Sequence, residues 1–66
     1  MRKLKDIREE LGFSIEECAK ILDISPSTYR TYEKQPLKFK MDQVYILAKT
    51  FQVNIQDVDW YHSSMA

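Results

Sequence analysis

Apolar residues recur along this chain at helical spacing. Leu4, Ile7 and Leu11 fall at i, i+3 and i+7, which predicts an amphipathic helix over residues 2–11, closed by Gly12, the single glycine, at C′. Ser14 followed three residues later by Glu17 is a capping box: the hydroxyl accepts from the amide of residue 17, and the carboxylate returns the bond. Phe13 at N′ and Cys18 at N4 stand at the spacing of a hydrophobic staple. Cys18, Ala19 and Leu22 then form the inner face of a second helix that ends near Asp23, with Glu16, Glu17 and Lys20 elsewhere. A third helix starts from Ser25 as N-cap, with Pro26 at N1, where a missing amide costs nothing and a fixed φ suits the first turn. Its Tyr29 and Tyr32 point inward, leaving Ser27, Thr28, Arg30, Thr31 and Lys34 outward, while Ile24 plugs the core between the two helices. Residues 34–40, KQPLKFK, form the one loop of any length. Val44, Leu47, Ala48 and Phe51 mark a fourth helix from Met41, and Asn54 caps a shorter fifth with Ile55 and Val58 on its inner side. No stretch alternates as a half-buried strand does. The expected fold is all-α: a compact five-helix globule over residues 1–60, followed by a polar tail at 61–66.

Residues 14–33 thus read as two short helices joined by a tight turn, the second opening on small polar side chains. A narrow, protruding helix of this kind fits the width of the major groove of duplex DNA, so most of the candidate chemistry lies there.

Sixty-six residues allow one domain, near the lower limit for an unstapled core, so burial must be efficient or shared with a second subunit. With 44% hydrophobic and 30% charged residues, the composition is that of a folded globule, not a disordered tail. No apolar run approaches the ~18 residues of a membrane span, and no signal-type apolar stretch stands near the N-terminus, so the cytosol is the expected compartment. Cys18 is the single cysteine and falls on an inward stripe, which makes it a core residue in a reducing environment. Ten Lys plus Arg balance ten Asp plus Glu, so the molecule as a whole has no attraction for a polyanion. Charge placement changes that picture. Residues 25–40 carry Arg30, Lys34, Lys38 and Lys40 against Glu33 alone, a local surplus that reads either as phosphate anchors beside the third helix or as a solvated face.

Residues 4–33, LKDIREELGFSIEECAKILDISPSTYRTYE, resemble the helix-turn-helix domain of the phage Cro and repressor family, also called the xenobiotic-response-element type. Residues 46–58, ILAKTFQVNIQDV, resemble that family's last two helices, so the likeness covers nearly the whole chain. It is nearest to small lysis-lysogeny regulators of Gram-positive hosts, where S-T-Y-x-x-Y-E is common. The resemblance implies a lambda-repressor-like fold that binds double-stranded operator DNA as a homodimer, with no cofactor and no small-molecule ligand. It places base-reading side chains at Pro26, Ser27, Thr28, Arg30 and Thr31; the capping Ser25 and the local charge surplus at Lys34, Lys38 and Lys40 add expected contacts beside them. Arg30 is the one long donor among the readers able to take guanine O6 and N7 together, and the hydroxyls serve bases or phosphates. In the same family an arginine of the first helix pairs with a glutamate closing the third; Arg8 and Glu33 occupy those positions, and a guanidinium fork matches a carboxylate in two places.

Several positions depart from the family pattern. Asp23 stands where glycine is usual, at a turn residue needing positive φ, which Asp tolerates at some cost. Ile15 replaces a glutamine that touches phosphate in relatives, so a contact there falls to backbone amides. Lys40 sits where a small cap is commoner. Leu11, Ile15 and Ile21 are apolar where relatives are polar, which is either incidental or part of a protein-binding patch. Trp60 and Tyr61 either cap the small core or line a two-fold dimer contact. His62 is a lone tail histidine, and Met1, Met41 and Met65 show no ligand spacing.

Catalysis finds no support. One histidine and one cysteine on different faces build no nucleophile dyad, no pair has metal-ligand spacing, and no glycine-rich loop exists to cradle phosphate. The expected function is a sequence-specific DNA-binding regulator that occupies an operator. The alternative is a protein-interaction module on the same fold: an antirepressor, antitoxin or inhibitor.

Overall fold

The computed structural model describes residues 1–61. A short strand β1 (Arg2–Lys3) leads into α1 (Leu4–Leu11), α2 (Ile15–Leu22) and α3 (Pro26–Lys34). A 3-10 turn (Pro36–Lys38), α4 (Met41–Phe51), a second 3-10 turn (Ile55–Asp57) and β2 (Val58–Asp59) complete the order. His62 and Met65, with most of the tail, lie outside the described residues.

Three helices end in one backbone device. Gly12, Asp23 and Gln52 adopt left-handed φ of 83°, 58° and 57°. In each case the amide of the following residue reaches back to the carbonyl five positions earlier: Phe13 to Arg8 and Ile24 to Ala19, both at 3.0 Å, and Val53 to Ala48, also at 3.0 Å. This is the Schellman closure, which satisfies carbonyls the helix itself leaves unpaired. It also turns Phe13, Ile24 and Val53 back onto the core.

The starts of the helices follow the capping chemistry. The Ser14 hydroxyl accepts from the Glu17 amide at 3.0 Å and the Glu17 carboxylate accepts from the Ser14 amide at 2.8 Å. That backbone bond holds the Glu17 carboxyl below its usual range. Lys40, which has no acceptor in its side chain, is served instead by Gln43, whose Oε1 takes the Lys40 amide at 2.9 Å.

The core gathers Leu4, Ile7, Cys18, Leu22, Tyr29 and Leu47 from the four helices, and its aromatic centre comes from between them. Phe39 is buried and stacks obliquely or edge-on against Tyr29, Tyr32 and Trp60, with ring centroids 5.9, 5.4 and 6.2 Å away. Phe13 meets Phe51 at 5.2 Å. Residues 34–40 are therefore not a plain loop: a 3-10 turn with Pro36 buried delivers Phe39 inward.

Two further expectations are corrected. The first helix begins at Leu4, not at residue 2, because Arg2 and Lys3 are extended and pair in parallel with Val58 and Asp59. The fifth helix is a single 3-10 turn, so there are four α-helices among the described residues. Its continuation is drawn out at Val58 by that pairing with β1, and Val58 is only 2% exposed there. Trp60 follows, buried, its indole N–H donating to the Ile55 carbonyl at 2.8 Å. No helix among the described residues is long and apolar enough to cross a membrane.

Candidate nucleic-acid interface

α2 and α3 pack across the turn at Asp23 and Ile24, and the N-terminal half of α3 is turned outward. Ser25 caps the helix: its hydroxyl oxygen accepts from the Thr28 amide at 3.1 Å and its O–H donates to Thr28 Oγ1 at 2.8 Å. Ser25, Pro26, Ser27, Arg30, Thr31 and Lys34 are exposed, and Thr28 is half-buried. Thr31 Oγ1 donates to the Ser27 carbonyl at 3.1 Å, which commits its proton and leaves its lone pairs free to accept. Ser27, Thr31 and Lys34 share one stripe at i, i+4 and i+7.

A polar brace beneath α3 fixes this presentation. Arg8 donates from Nε and Nη2 to the two Glu33 carboxylate oxygens at 2.9 and 3.1 Å, and its Nη1 donates to the Phe13 carbonyl at 2.8 Å. The Tyr29 hydroxyl donates to Glu33 Oε2 at 2.7 Å. The Glu33 carboxylate ties α1 to the last turns of α3, and the Arg8 guanidinium ties the α1–α2 turn to the same group. The Glu33 hydrogen bond raises the Arg8 pKa against the opposing effect of burial, and burial, then Glu33, pushes the Tyr29 hydroxyl far above its ordinary value. Among the described residues no buried side-chain polar atom is left without a partner.

A family model described as helix-turn-helix matches residues 4–58. The chain belongs to this Cro/repressor-like helix-turn-helix family. No curated protein and no solved structure gives a significant match. As a helix-turn-helix protein it carries the DNA-binding domain of transcription regulators.

The brace also settles the electrostatics of this helix-turn-helix. Glu33 is the only acid in residues 25–40, and its charge is taken up by Arg8. Arg30, Lys34, Lys38 and Lys40 remain exposed with no acidic partner among the described residues. They do not form one cluster. Arg30 and Lys34 line a groove of about 240 Å³ between α3 and α1. Lys38 lies instead at a separate cleft with Leu37 and Tyr61, and Lys40 sits at the start of α4.

Lys5 stands in the Arg30 groove and was missed from sequence. A signal existed: Lys5 precedes Arg8 by three residues and shares its face of α1, so pairing Arg8 with Glu33 brings Lys5 to the end of α3. Ile15 lines the same groove and is half-buried against the core, whereas Leu11 and Ile21 are 51% and 40% exposed. Trp60 and Tyr61 part company as well, Trp60 in the core and Tyr61 73% exposed.

Proposed function

We propose that residues 1–60 form a single sequence-specific unit that binds double-stranded operator DNA as a homodimer, in the manner of a small phage-type Cro or repressor protein. It acts in the bacterial cytoplasm, at the nucleoid, by occupying a site that polymerase or a rival regulator needs. The observation that carries this reading is the outward stripe of hydroxyls on a helix braced from below, flanked by cations that no acid among the described residues neutralises. Thr31, with its proton spent on the Ser27 carbonyl, meets a base as an acceptor and through its methyl group; Ser27 and Thr28 keep protons to donate. Ser25 and Pro26 hold the first turn against the duplex, and Lys34, Lys38 and Lys40 meet phosphates.

A chain with no net charge binds DNA weakly outside its site, so affinity leans on two half-sites engaged together. A second copy supplies the other half-site, placing two reading helices ~34 Å apart. The surface suited to that contact is the apolar cleft where Leu37, Met41 and Tyr61 are 68%, 73% and 73% exposed. Selection of bound genomic fragments followed by salt titration tests the reading. The expected result is a two-fold symmetric site and a fall of log K with log salt of ~0.9 per phosphate contacted. A protein partner recovered by pull-down, with no DNA retained even at low salt, refutes it in favour of the protein-interaction alternative.

A further inference from the structure

The groove between α1 and α3 is lined by four cations and two acids, a surplus of two positive charges, and both acids lie nearest the same cation. Glu33 holds Arg8 at 2.9 Å and Glu9 approaches it at 3.8 Å, so Lys5, Arg30 and Lys34 are left around a groove of about 240 Å³ with no acidic partner among the described residues. Ile15 forms part of one wall and offers no competing charge. With a net surplus of two positive charges around one depression, the lining repels itself in the free protein, and the group that relieves this is a compact anion. Arg30 is central. It stands one turn from Ser27 and from Lys34 on α3 and lines the groove together with Lys34 and Glu33.

We propose that this groove seats one phosphodiester of the bound duplex, with Lys5 of α1 closing the site opposite Arg30 and Lys34. The inference rests on the DNA-binding reading above and extends it in two ways. It carries the protein–DNA contact onto a helix outside the helix-turn-helix, and it assigns Arg30 to the backbone, leaving base reading to the hydroxyls. The Arg8–Glu33 pair below the seat holds the two sides of the site at a fixed separation, because it bolts α1 to the end of α3.

The test is binding of the selected operator duplex to the full chain and to its Lys5→Ala variant across a salt series. Lys5 is exposed and has no ion-pair partner among the described residues, so the variant melts with the parent. Its affinity falls by a similar factor on every operator variant, and the salt slope drops by about 0.9. Lys49→Ala, which removes a cation over the Tyr45 ring on α4, leaves the slope unchanged. Replacing operator phosphates one at a time with neutral methylphosphonates locates the seat: one substitution weakens the parent and no longer weakens Lys5→Ala. Parent binding with a normal slope that Lys5→Ala does not alter, or that Lys49→Ala alters equally, overturns the seat and leaves the DNA-binding reading standing. Failure of the parent to bind any duplex overturns both.

Discussion

Arg8→Ala is the sharpest test of the brace. The substitution leaves the Glu33 carboxylate, 6% exposed, with the Tyr29 hydroxyl as its remaining donor, and deletes two charge-assisted bonds of 2.9 and 3.1 Å. Breaking a buried pair from one side costs on the order of 3–5 kcal/mol, since the surviving charge stays desolvated. A chain of this length is held folded by only roughly 3–10 kcal/mol. At ~4–8 °C per kcal/mol for a small domain, the melting midpoint should fall by at least ~12 °C. Trp60, the one tryptophan and buried beside Phe39, reports the transition by fluorescence in urea or on heating. The companion experiment removes both charges. Arg8→Met with Glu33→Leu recovers most of the loss, because a well-packed apolar pair replaces a costly ionic one; Tyr29→Phe added to it recovers more, since the Tyr29 hydroxyl would otherwise lose its acceptor. A midpoint for Arg8→Ala within ~2 °C of the parent, below 1 kcal/mol by the same conversion, would mean that the pair is solvated in solution, and the account of how α3 is held would fail.

The left-handed positions give a ranked series: Gln52→Gly should stabilise the fold by roughly 1 kcal/mol and Asp23→Gly by less, because Asp tolerates this region better than Gln, and a drop in melting temperature for either contradicts the turn geometry. Gly12→Ala should destabilise even though an added Cβ there meets nothing within 4 Å, since the penalty lies in the backbone at φ 83°. Alkaline stability depends on Cys18 and Tyr29, which the fold keeps protonated while the unfolded chain releases their protons near the ordinary values of 9.0 and 10.0. Stability is whole below those values and falls as pH rises past them by about 1.4 kcal/mol per pH unit per proton, and Tyr29→Phe should flatten the upper part of that slope in urea titrations. Tyr61→Glu and Met41→Lys should leave the monomer's melting unchanged while shifting sedimentation toward monomer and weakening operator binding; dimers that persist at the same concentration in both variants place the contact elsewhere.

Local chemistry was the legible part of the fold. Ser14 with Glu17, Ser25 with Pro26, and Gly12 each announce a helix end through a side chain or its absence, and the apolar spacing fixes which faces turn inward. Phe39 was not legible, because a single aromatic among lysines in KQPLKFK has no period to betray it and is buried only through the 3-10 turn before it. The strand pair was hidden for a related reason: two residues cannot alternate, and Arg2 finds Val58 across nearly the full chain. Asn54, Ile55 and Val58 fit a helix start and a 3-10 turn followed by extended chain equally well; the β1 partner decides between them. Gln52 carries no turn signature, and its positive φ follows from the closure that Val53 makes with Ala48. At the candidate site the outward residues of α3 were readable from helical phase, whereas the division between stripe and groove was not. That division depends on where α1 crosses, and α1 is placed by Arg8.

The division between stripe and groove has a consequence for specificity. A reading helix whose base contacts come from Ser27, Thr28 and Thr31 forms single hydrogen bonds and methyl contacts, each less discriminating than a two-point arginine–guanine pair. If Arg30 meets the backbone as proposed, discrimination is distributed: a little from each hydroxyl, more from the fixed spacing of two half-sites, and more again from duplex shape at the phosphates that Lys5 and Lys34 would grip. Such a scheme tolerates no background attraction, since a general affinity for DNA would swamp small differences between sites. Ten acids against ten bases keep that background low for the molecule as a whole, while the neutralisation of Glu33 by Arg8 keeps the contact face positive. The buried ion pair thus serves the surface as well as the core: without it, the end of α3 would present an unneutralised carboxylate beside the proposed phosphate contacts.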